Sequence, residues 1–580
     1  MKVSDFIVEY LIEKKITDVF GYPGGMVTHL MDSFGKYENK INTHITYHEQ
    51  GAAFAACGYA QASGKTGVAF ATSGPGATNL LTGICNAYFD SIPTVFITGQ
   101  VNTFESKGDL NIRQKGFQET DIISMVSGVT KAAIYVNKPE DIKSVLDQAF
   151  YVAQEGRKGP VVLDIPMNIF RADIENINLE TSRNEFNNKS SSCEKFANNE
   201  KLRFREYIKK ALLKSKRPCL LVGNGVKQAN QINEIREVVK KAGMPVVSSM
   251  LAVDIIPEEA GLEGTYYGFV GAYGNRTANF VVAKCDLIIC LGTRLDVRQV
   301  GAKRENFAPQ ADIIRVDIDS NELQNKIREE ENQFLLTVND AVTIFREVLN
   351  DFKNNDEWLS VCKEIKKKVK AIDEKHPNRV INSLSKNISD GYSVVADVGQ
   401  NMVWVAQSFK MKENQRLYMS GGHGAMGYAL PAAIGIYYAT HKPVVCFSGD
   451  GGFQMNIQEL QFIARERLPI KMVVLNNVSL GMIRHFQEMY FDSNYNYTVS
   501  DKGYTVPDFC KIVEAYGIGS KRIEAAKEID EIDWTSNNPE FYEIMLEPNT
   551  VVFPKLEFGK PNQDQEPLLD RELYQYLMSI

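Results

Sequence analysis

The amino-acid sequence predicts an α/β protein made of three doubly wound parallel-sheet domains. Two observations carry that expectation. Short, continuous apolar runs alternate with helical stretches in three successive blocks of the 580-residue chain. Such runs suit strands buried on both faces, as in parallel sheets covered by helices. Gly-rich turns also follow several of these runs, at the strand ends where α/β sheets bind ligands.

The first block spans residues 1–170. Its opening MKVSDFIVEYLIEKK carries acids among apolar residues and reads as an amphipathic helix, not a secretion signal. GVAFAT (Gly67 to Thr72) and TVFITG (Thr94 to Gly99) read as strands, and VVLDIP (Val161 to Pro166) as the last strand, stopped by Pro166. Residues 171–200 are polar, Asn- and Ser-rich and aperiodic, and read as a linker. The second block, 201–350, has strands at PCLLVG, PVVSS, DLIICLG and IIRVDID. A charged helical stretch, Glu357 to Lys375, leads to a third block, 376–550, with strands at SVVADVG, VVCFSG and IKMVVLNN. Residues 551–580 read as a polar tail with a helical end.

Bulk properties narrow the function. A hydrophobic fraction of 44% can fill several cores. The net charge of −7, with Lys and Arg scattered, excludes a nucleic-acid-binding surface. No apolar run reaches the roughly 18 residues of a membrane span. The nine cysteines lack close pairs and sit mostly in apolar settings (Cys57, Cys85, Cys219, Cys285, Cys290, Cys446), which predicts reduced thiols in a cytoplasm.

The third block carries the most chemistry. Strand Val444 to Ser448 ends in Gly449-Asp450-Gly451. A helix follows (Ile457 to Arg467), then a strand over Met472 to Leu475 ending in Asn476-Asn477. Two strand ends thus offer an acid, Asp450, and an amide oxygen, Asn477, a hard-oxygen pair suited to Mg²⁺. In the first block, Glu49 stands alone between a β-branched run (Ile45 to Tyr47) and an Ala-rich helix. Read by itself, it is an acid favoured by a helix N-terminus.

The GDG…NN pattern resembles that of thiamine diphosphate (ThDP) enzymes. Longer stretches resemble the catalytic subunit of the acetolactate synthase family: FGYPGG, HEQGAAFAACGYA, ATSGPGATNLLTGICNAYFDSIPTVFITGQV, GFQETDI, GPVVLDIP, VADVGQNMVW and SGGHGAMGYALPAAIG. The likeness covers residues 1 to about 550. It implies a pyrimidine-binding first domain, a central FAD-type domain and a diphosphate-binding third domain. Glu49 would drive the coenzyme's aminopyrimidine to the imino form that removes the C2 proton. Tyr22, Pro23, Gly24 and Gly25 match the loop that holds reacting oxygens, Phe117 and Gln118 the pair lining the site, and Lys131 a substrate-channel lysine. Gln400 and Asn401 match diphosphate-binding positions, although His is more usual at the second. Gly424 and Met426 match the acceptor and support that bend the coenzyme. Gly449, Gly451, Gly452 and Met482 complete that set, and Asp450, Asn477 and the Ser479 carbonyl match the Mg²⁺ ligands. For FAD the matches are Gly223, Asn224, Gly225, Gly292, Arg294, Asp296, Arg298, Asp317 and Ile318. Arg298 also matches an arginine that meets the carboxylate of the second keto acid.

Departures cluster on the acceptor side. Phe486 stands where a Trp is usual and His485 where a Gln is. Ala272 replaces a Met and Tyr273 a His. The resemblance implies decarboxylation of pyruvate and transfer of its two-carbon unit to a second 2-keto acid, giving 2-acetolactate in branched-chain amino acid biosynthesis. A keto sugar nucleotide acceptor and a FAD-using pyruvate oxidase remain alternatives. It further implies a homodimer or homotetramer with sites at the subunit interface, and leaves room for a small regulatory subunit.

Overall fold

A computed structural model describes the chain except residues 176–190, 258–261, 263 and 353–354. It contains three six-stranded sheets, parallel throughout. The first holds β1 (Asp18–Gly21), β2 (Asn42–Ile45), β3 (Gly67–Ala71), β4 (Thr94–Gln100), β5 (Ala132–Tyr135) and β6 (Pro160–Pro166). The second holds β7 (Pro218–Val222), β8 (Val246–Ser248), β9 (Tyr266–Phe269), β10 (Leu287–Leu291), β11 (Asp312–Asp317) and β12 (Asn332–Leu335). The third holds β13 (Ser393–Ala396), β14 (Leu417–Met419), β15 (Val444–Gly449), β16 (Ile470–Asn476), β17 (Gly519–Ile523) and β18 (Glu540–Met545).

The spatial orders differ in a telling way. Sheet one runs β2-β1-β3-β4-β6-β5 and sheet three β14-β13-β15-β16-β18-β17, the same topology. Sheet two runs β12-β11-β10-β7-β8-β9. Counted within its own block that is the doubly wound dinucleotide-binding order, whose ligand crevice opens where the order reverses. Here the reversal falls between β7 and β10.

Sheets one and three share a hydrophobic core, whereas sheet two has its own. Two small-residue helices make the shared core: Glu49–Ser63 and Ala429–Thr440. A Cβ on Gly58 would stand 2.4 Å from the Ala432 carbonyl oxygen, and one on Gly435 only 1.8 Å from that of Ala55. The helices therefore touch backbone to backbone, and their Ala residues fill the remaining space. The N-terminal helix, Val3–Glu13, packs Phe6, Ile7, Tyr10 and Leu11 onto sheet one, as its amphipathic pattern predicts.

Three expectations change. Of the span read as a linker, 176–190 lies outside the described residues, but helix Ser191–Lys214 already begins within it. The GDG turn is itself the start of a helix, Asp450–Met455, so the helical stretch begins earlier than Ile457. Residues 551–580 do end in a helix, Arg571–Ser579, but they are not a free tail. Leu556 N donates to the Ala272 carbonyl (2.7 Å), Asn562 Nδ2 to Gln299 O (2.9 Å) and Gln565 Nε2 to Gly274 O (3.0 Å). The segment's polarity serves backbone groups of the central domain.

Gly435→Ala should lower stability by about 3 kcal/mol or more, because a backbone contact has nowhere to yield. Gly35→Ala, in an exposed helix position with open space around it, should raise it by about 0.5–1 kcal/mol. Thermal unfolding of the two variants checks the contrast.

Candidate coenzyme site

One large cavity, about 1020 Å³, lies between the central and third sheets. It exceeds the roughly 300–1,000 Å³ of an ordinary small-molecule site. On its third-sheet wall, the chain reverses order between β13 and β15, and the loops after these strands supply Gly399 to Asn401 and Gly449 to Gly452. Asp450 opens its helix with Oδ1 accepting from Gly451 N (2.7 Å) and Oδ2 from Ser479 N (3.0 Å). Burial pushes its carboxyl up to about 6, against the pull of those N–H groups.

The two asparagines after β16 divide their work. Asn476 turns inward, donating Nδ2 to Glu543 Oε1 (2.7 Å) and accepting from Val478 N. Asn477 donates Nδ2 to Gln400 Oε1 (3.0 Å), which leaves its amide oxygen for the cavity. Asp450, Asn477 and Ser479 thus present a carboxylate, an amide oxygen and a backbone carbonyl on one wall. Among the described residues no cluster of three or more His, Cys, Asp or Glu side chains offers a rival metal site. Asn401 lines the cavity too: its Nδ2 donates to the Asp397 carbonyl at 2.7 Å, and its Oδ1 lies 3.2 Å from where a Cβ on Gly449 would be. Gly424 (φ +70°) stands free, and Met426 reaches toward Gly451, its Cε 3.2 Å from where a Cβ there would lie. Met482 completes this wall.

The central wall is built at the switch point between β7 and β10. A Cβ on Gly223 would stand 2.2 Å from the Gly292 carbonyl, and Gly225 N donates to that same oxygen at 2.9 Å. These glycines first serve the close approach of two loops; Asn224, Gly225 and Gly292 then line the cavity, while Gly223 lies behind. Arg294, Asp296, Arg298, Asp317 and Ile318 line it too, with Ala272 and Tyr273. Asp296 caps the turn at Arg298 N (2.8 Å), and the Arg298 carbonyl accepts from Ala272 N (2.8 Å). The Arg298 guanidinium is exposed to the cavity with no carboxylate paired to it among the described residues.

The first sheet shows this cavity only its amino end: Phe89 to Ser91 before β4, and Gly156 to Lys158 before β6. Glu49, Tyr22 to Gly25 and Gln118 gather instead at the carboxyl end. Glu49 Oε2 accepts from Asn79 Nδ2 (2.9 Å), and its Oε1 is 3.2 Å from a Cβ position on Gly76. Gly24 packs on Thr72 and Gly74 on Gln118. A seven-residue strand such as β4 puts about 20 Å between the two ends. One chain therefore carries two half-sites that face different ways.

Other expected residues have different settings. Phe117, the chain neighbour of Gln118, is 80% exposed. Lys131 is half-buried just before edge strand β5 and donates to the Glu155 carbonyl at 2.5 Å, beside the cavity-lining segment Gly156 to Lys158. His485 and Phe486 are off the cavity wall. Helix Gly481–Tyr490 shows the cavity its first turn, Gly481 to Ile483. Two residues on, His485 is buried against Phe553, and Phe486 packs on Tyr490 and Phe491. Sequence reasoning missed Asp90, His423 and Arg157. Asp90 accepts from Gly421 N (3.0 Å) and Gly422 N (2.7 Å), tying sheet one to the GGHGAMG loop, and burial pushes it up to about 6. His423 stacks on Phe89, and Arg157 pairs with Asp319 and Glu322. An acid in the apolar run NAYFDSIP was the available signal for Asp90.

This fold and site define a thiamine diphosphate enzyme. The three domains of such enzymes match in order: "Thiamine pyrophosphate enzyme, N-terminal TPP binding domain" at residues 1–125, the "central domain" at 206–341, and the "C-terminal TPP binding domain" at 397–533. Identity with the acetolactate synthase isozyme 2 large subunit of Escherichia coli (strain K12) is 34%, over 97% of this chain and 99% of that protein. The acetolactate synthase large subunit of Cyanidium caldarium is 34% identical (96% and 95% covered), and that of Corynebacterium glutamicum 35% (96% and 89%). The chain belongs to the family of acetolactate synthase large subunits.

A Cβ on Gly481 would fall 1.8 Å from Gln400 Oε1 and 3.0 Å from Asn477 Nδ2. Gly481→Ala should leave the fold intact and weaken thiamine diphosphate binding by about 10-fold or more, since it breaks the bond that orients Asn477. Coenzyme titration followed by fluorescence checks this.

Proposed function

We propose that the protein joins two 2-keto acids: pyruvate loses CO₂ and its two-carbon unit adds to a second keto acid. With two pyruvates and one proton, the products are 2-acetolactate and CO₂. The observation that carries this reading is the shared cavity. It sets an anchor for a diphosphate and its cation (Asp450, Asn477, Ser479) opposite an unpaired guanidinium, Arg298, suited to a carboxylate.

The residues present fit the implied groups. Asp450, Asn477 and the Ser479 carbonyl would hold Mg²⁺, with the diphosphate against the Gly449 to Gly452 backbone. Gly424 and Met426 would support the bent coenzyme. The glycine loops at the β7/β10 switch point and the Asp317 carboxylate would hold FAD, and the cavity's size suits two cofactors. Bound thiamine diphosphate supplies the electron sink that lets a 2-keto acid decarboxylate. Glu49, 8% exposed, would hold the coenzyme's aminopyrimidine end and exchange a proton with it, and its enclosure keeps water from competing. Arg298 holds the acceptor carboxylate, while Ala272 and Tyr273 shape the space beside it.

Because Glu49 and Asp450 belong to half-sites facing different ways, the working unit is at least a homodimer in which each chain completes its partner's site. The "large subunit" in the relatives' names supports a separate small regulatory subunit for this chain too. A biosynthetic role toward branched-chain amino acids follows from the product. Eight free cysteines among the described residues support a cytoplasmic location.

Protein incubated with pyruvate, thiamine diphosphate, Mg²⁺ and FAD should yield 2-acetolactate. Acetate or acetyl phosphate with flavin bleaching would mark an oxidase instead, and a product only with a keto sugar nucleotide would mark a sugar acceptor. Glu49→Gln should cut turnover by about 10²- to 10⁴-fold and shift coenzyme affinity by less than about threefold. Arg298→Gln should raise the acceptor KM and let decarboxylation outrun carboligation, read as CO₂ released per acetolactate formed.

A further inference from the structure

Glu459 is a fully buried acid that the reaction above does not use. Helix Asp450–Met455 runs through Asn456 into the turn Ile457–Glu459, so this acid stands at the end of the segment that Asp450 opens. Its carboxyl crosses to the first sheet's side of the shared core. There it accepts from Tyr47 N with both oxygens, at 3.0 Å and 3.2 Å. Its Oε1 also stands 2.5 Å from where a Cβ on Gly51 would be, so only glycine fits beneath it. Asn456 adds a second grip, donating Nδ2 to Gln50 Oε1 (3.0 Å) and to the Gly427 carbonyl (2.8 Å).

Residues 47, 50 and 51 surround Glu49, the first residue of its helix. Tyr47 N lies just before the N-cap His48, whose Nδ1 accepts from Gln50 N (3.1 Å), so a grip on Tyr47 fixes the approach from which the helix's first turn leaves. Glu49's own carboxylate is held by Asn79. We propose that Glu459 is a positioning residue for Glu49: it fixes the turn that aims the Glu49 carboxyl at the coenzyme. This rests on the reading of Glu49 given above. Since the same segment begins with Asp450, it also ties the cation end of one cavity to the acid that completes the other. Burial pushes Glu459 up to about 8, so it is held largely neutral at neutral pH, and glutamine reproduces its shape.

The test measures exchange of the coenzyme's C2 hydrogen for deuterium in the holoenzyme, beside coenzyme affinity and Tm. Glu459→Ala should slow exchange about 10- to 100-fold with affinity nearly unchanged, as misaiming of a catalytic group does. Glu459→Gln should keep most of the rate. In a Glu49→Gln background, Glu459→Ala should add no further loss, because the two act as one unit. The same fractional loss in both backgrounds, or no loss at all in the Glu459→Ala single variant, overturns the proposal. Wild-type exchange in Glu49→Gln alone would instead mark failure of the reading of Glu49, and the proposal with it. Should Glu459→Ala not fold, Glu459→Asp, which withdraws the carboxyl by one methylene, carries the same comparison.

Discussion

The contact between helices Glu49–Ser63 and Ala429–Thr440 is the constraint on which the rest of this molecule depends. Gly58 and Gly435 let two backbones meet with no side chain between them. That closeness merges sheets one and three into one core and leaves no play in their relative placement. It fixes which edge of sheet one meets the cavity. The amino end, with Asp90 and Arg157, joins the chain's own cavity, and the carboxyl end, with Glu49, is directed elsewhere. A looser pair of helices, with larger residues at the crossing, would tilt the sheets and misplace both half-sites together.

Around that contact, buried acids serve as joints. Asp90 reaches the GGHGAMG loop, Asp397 receives Gly427 N and Ser448 Oγ, and Glu459 receives Tyr47 N. Each binds backbone N–H groups that its neighbours leave unmet, and burial raises each above the ordinary carboxylate range. Their shared feature is that each reaches backbone N–H groups of segments outside its own element. The segments so held are those that bear Gly424, Met426 and Glu49.

Much of this was readable from the sequence, for reasons that also explain the rest. Central strands such as β7, β10 and β16 are buried on both faces and spell continuous apolar runs. Edge strands β2, β12 and β17 are partly exposed and carry Asn, Thr, Gln, Lys and Arg, so they escape the pattern, while the edge strand β5 is only four residues long. β18 is central, but Glu543 interrupts it to bind Asn476 and Arg522. Asp450 and Asn477 could be found because a strand–helix–strand unit brings them together locally. The partners of Asp90 and Glu459 could not be read, because they lie hundreds of residues away, although the acid in NAYFDSIP marked Asp90 as unusual. His485 and Phe486 were expected on the acceptor side from the family resemblance, yet a helix turns about 100° per residue and carries them off the wall that Gly481 to Ile483 form.

The segment after residue 550 makes the wall around Ala272 and Arg298 depend on distant chain. Leu556 and Gln565 hold the carbonyls of Ala272 and Gly274, and Arg276 donates to the carbonyls of Gln565 and Pro567. Gln565 and Ala272 are 293 residues apart in the chain. During synthesis the central sheet can close early, but the loop beside Arg298 must wait for its clasp to leave the ribosome. The wall of Ala272 and Arg298 thus gains its full set of hydrogen bonds only with residues beyond 550 in place. A cleavage within residues 551–580 would disturb that wall first, while the turn at Asp450 stayed whole.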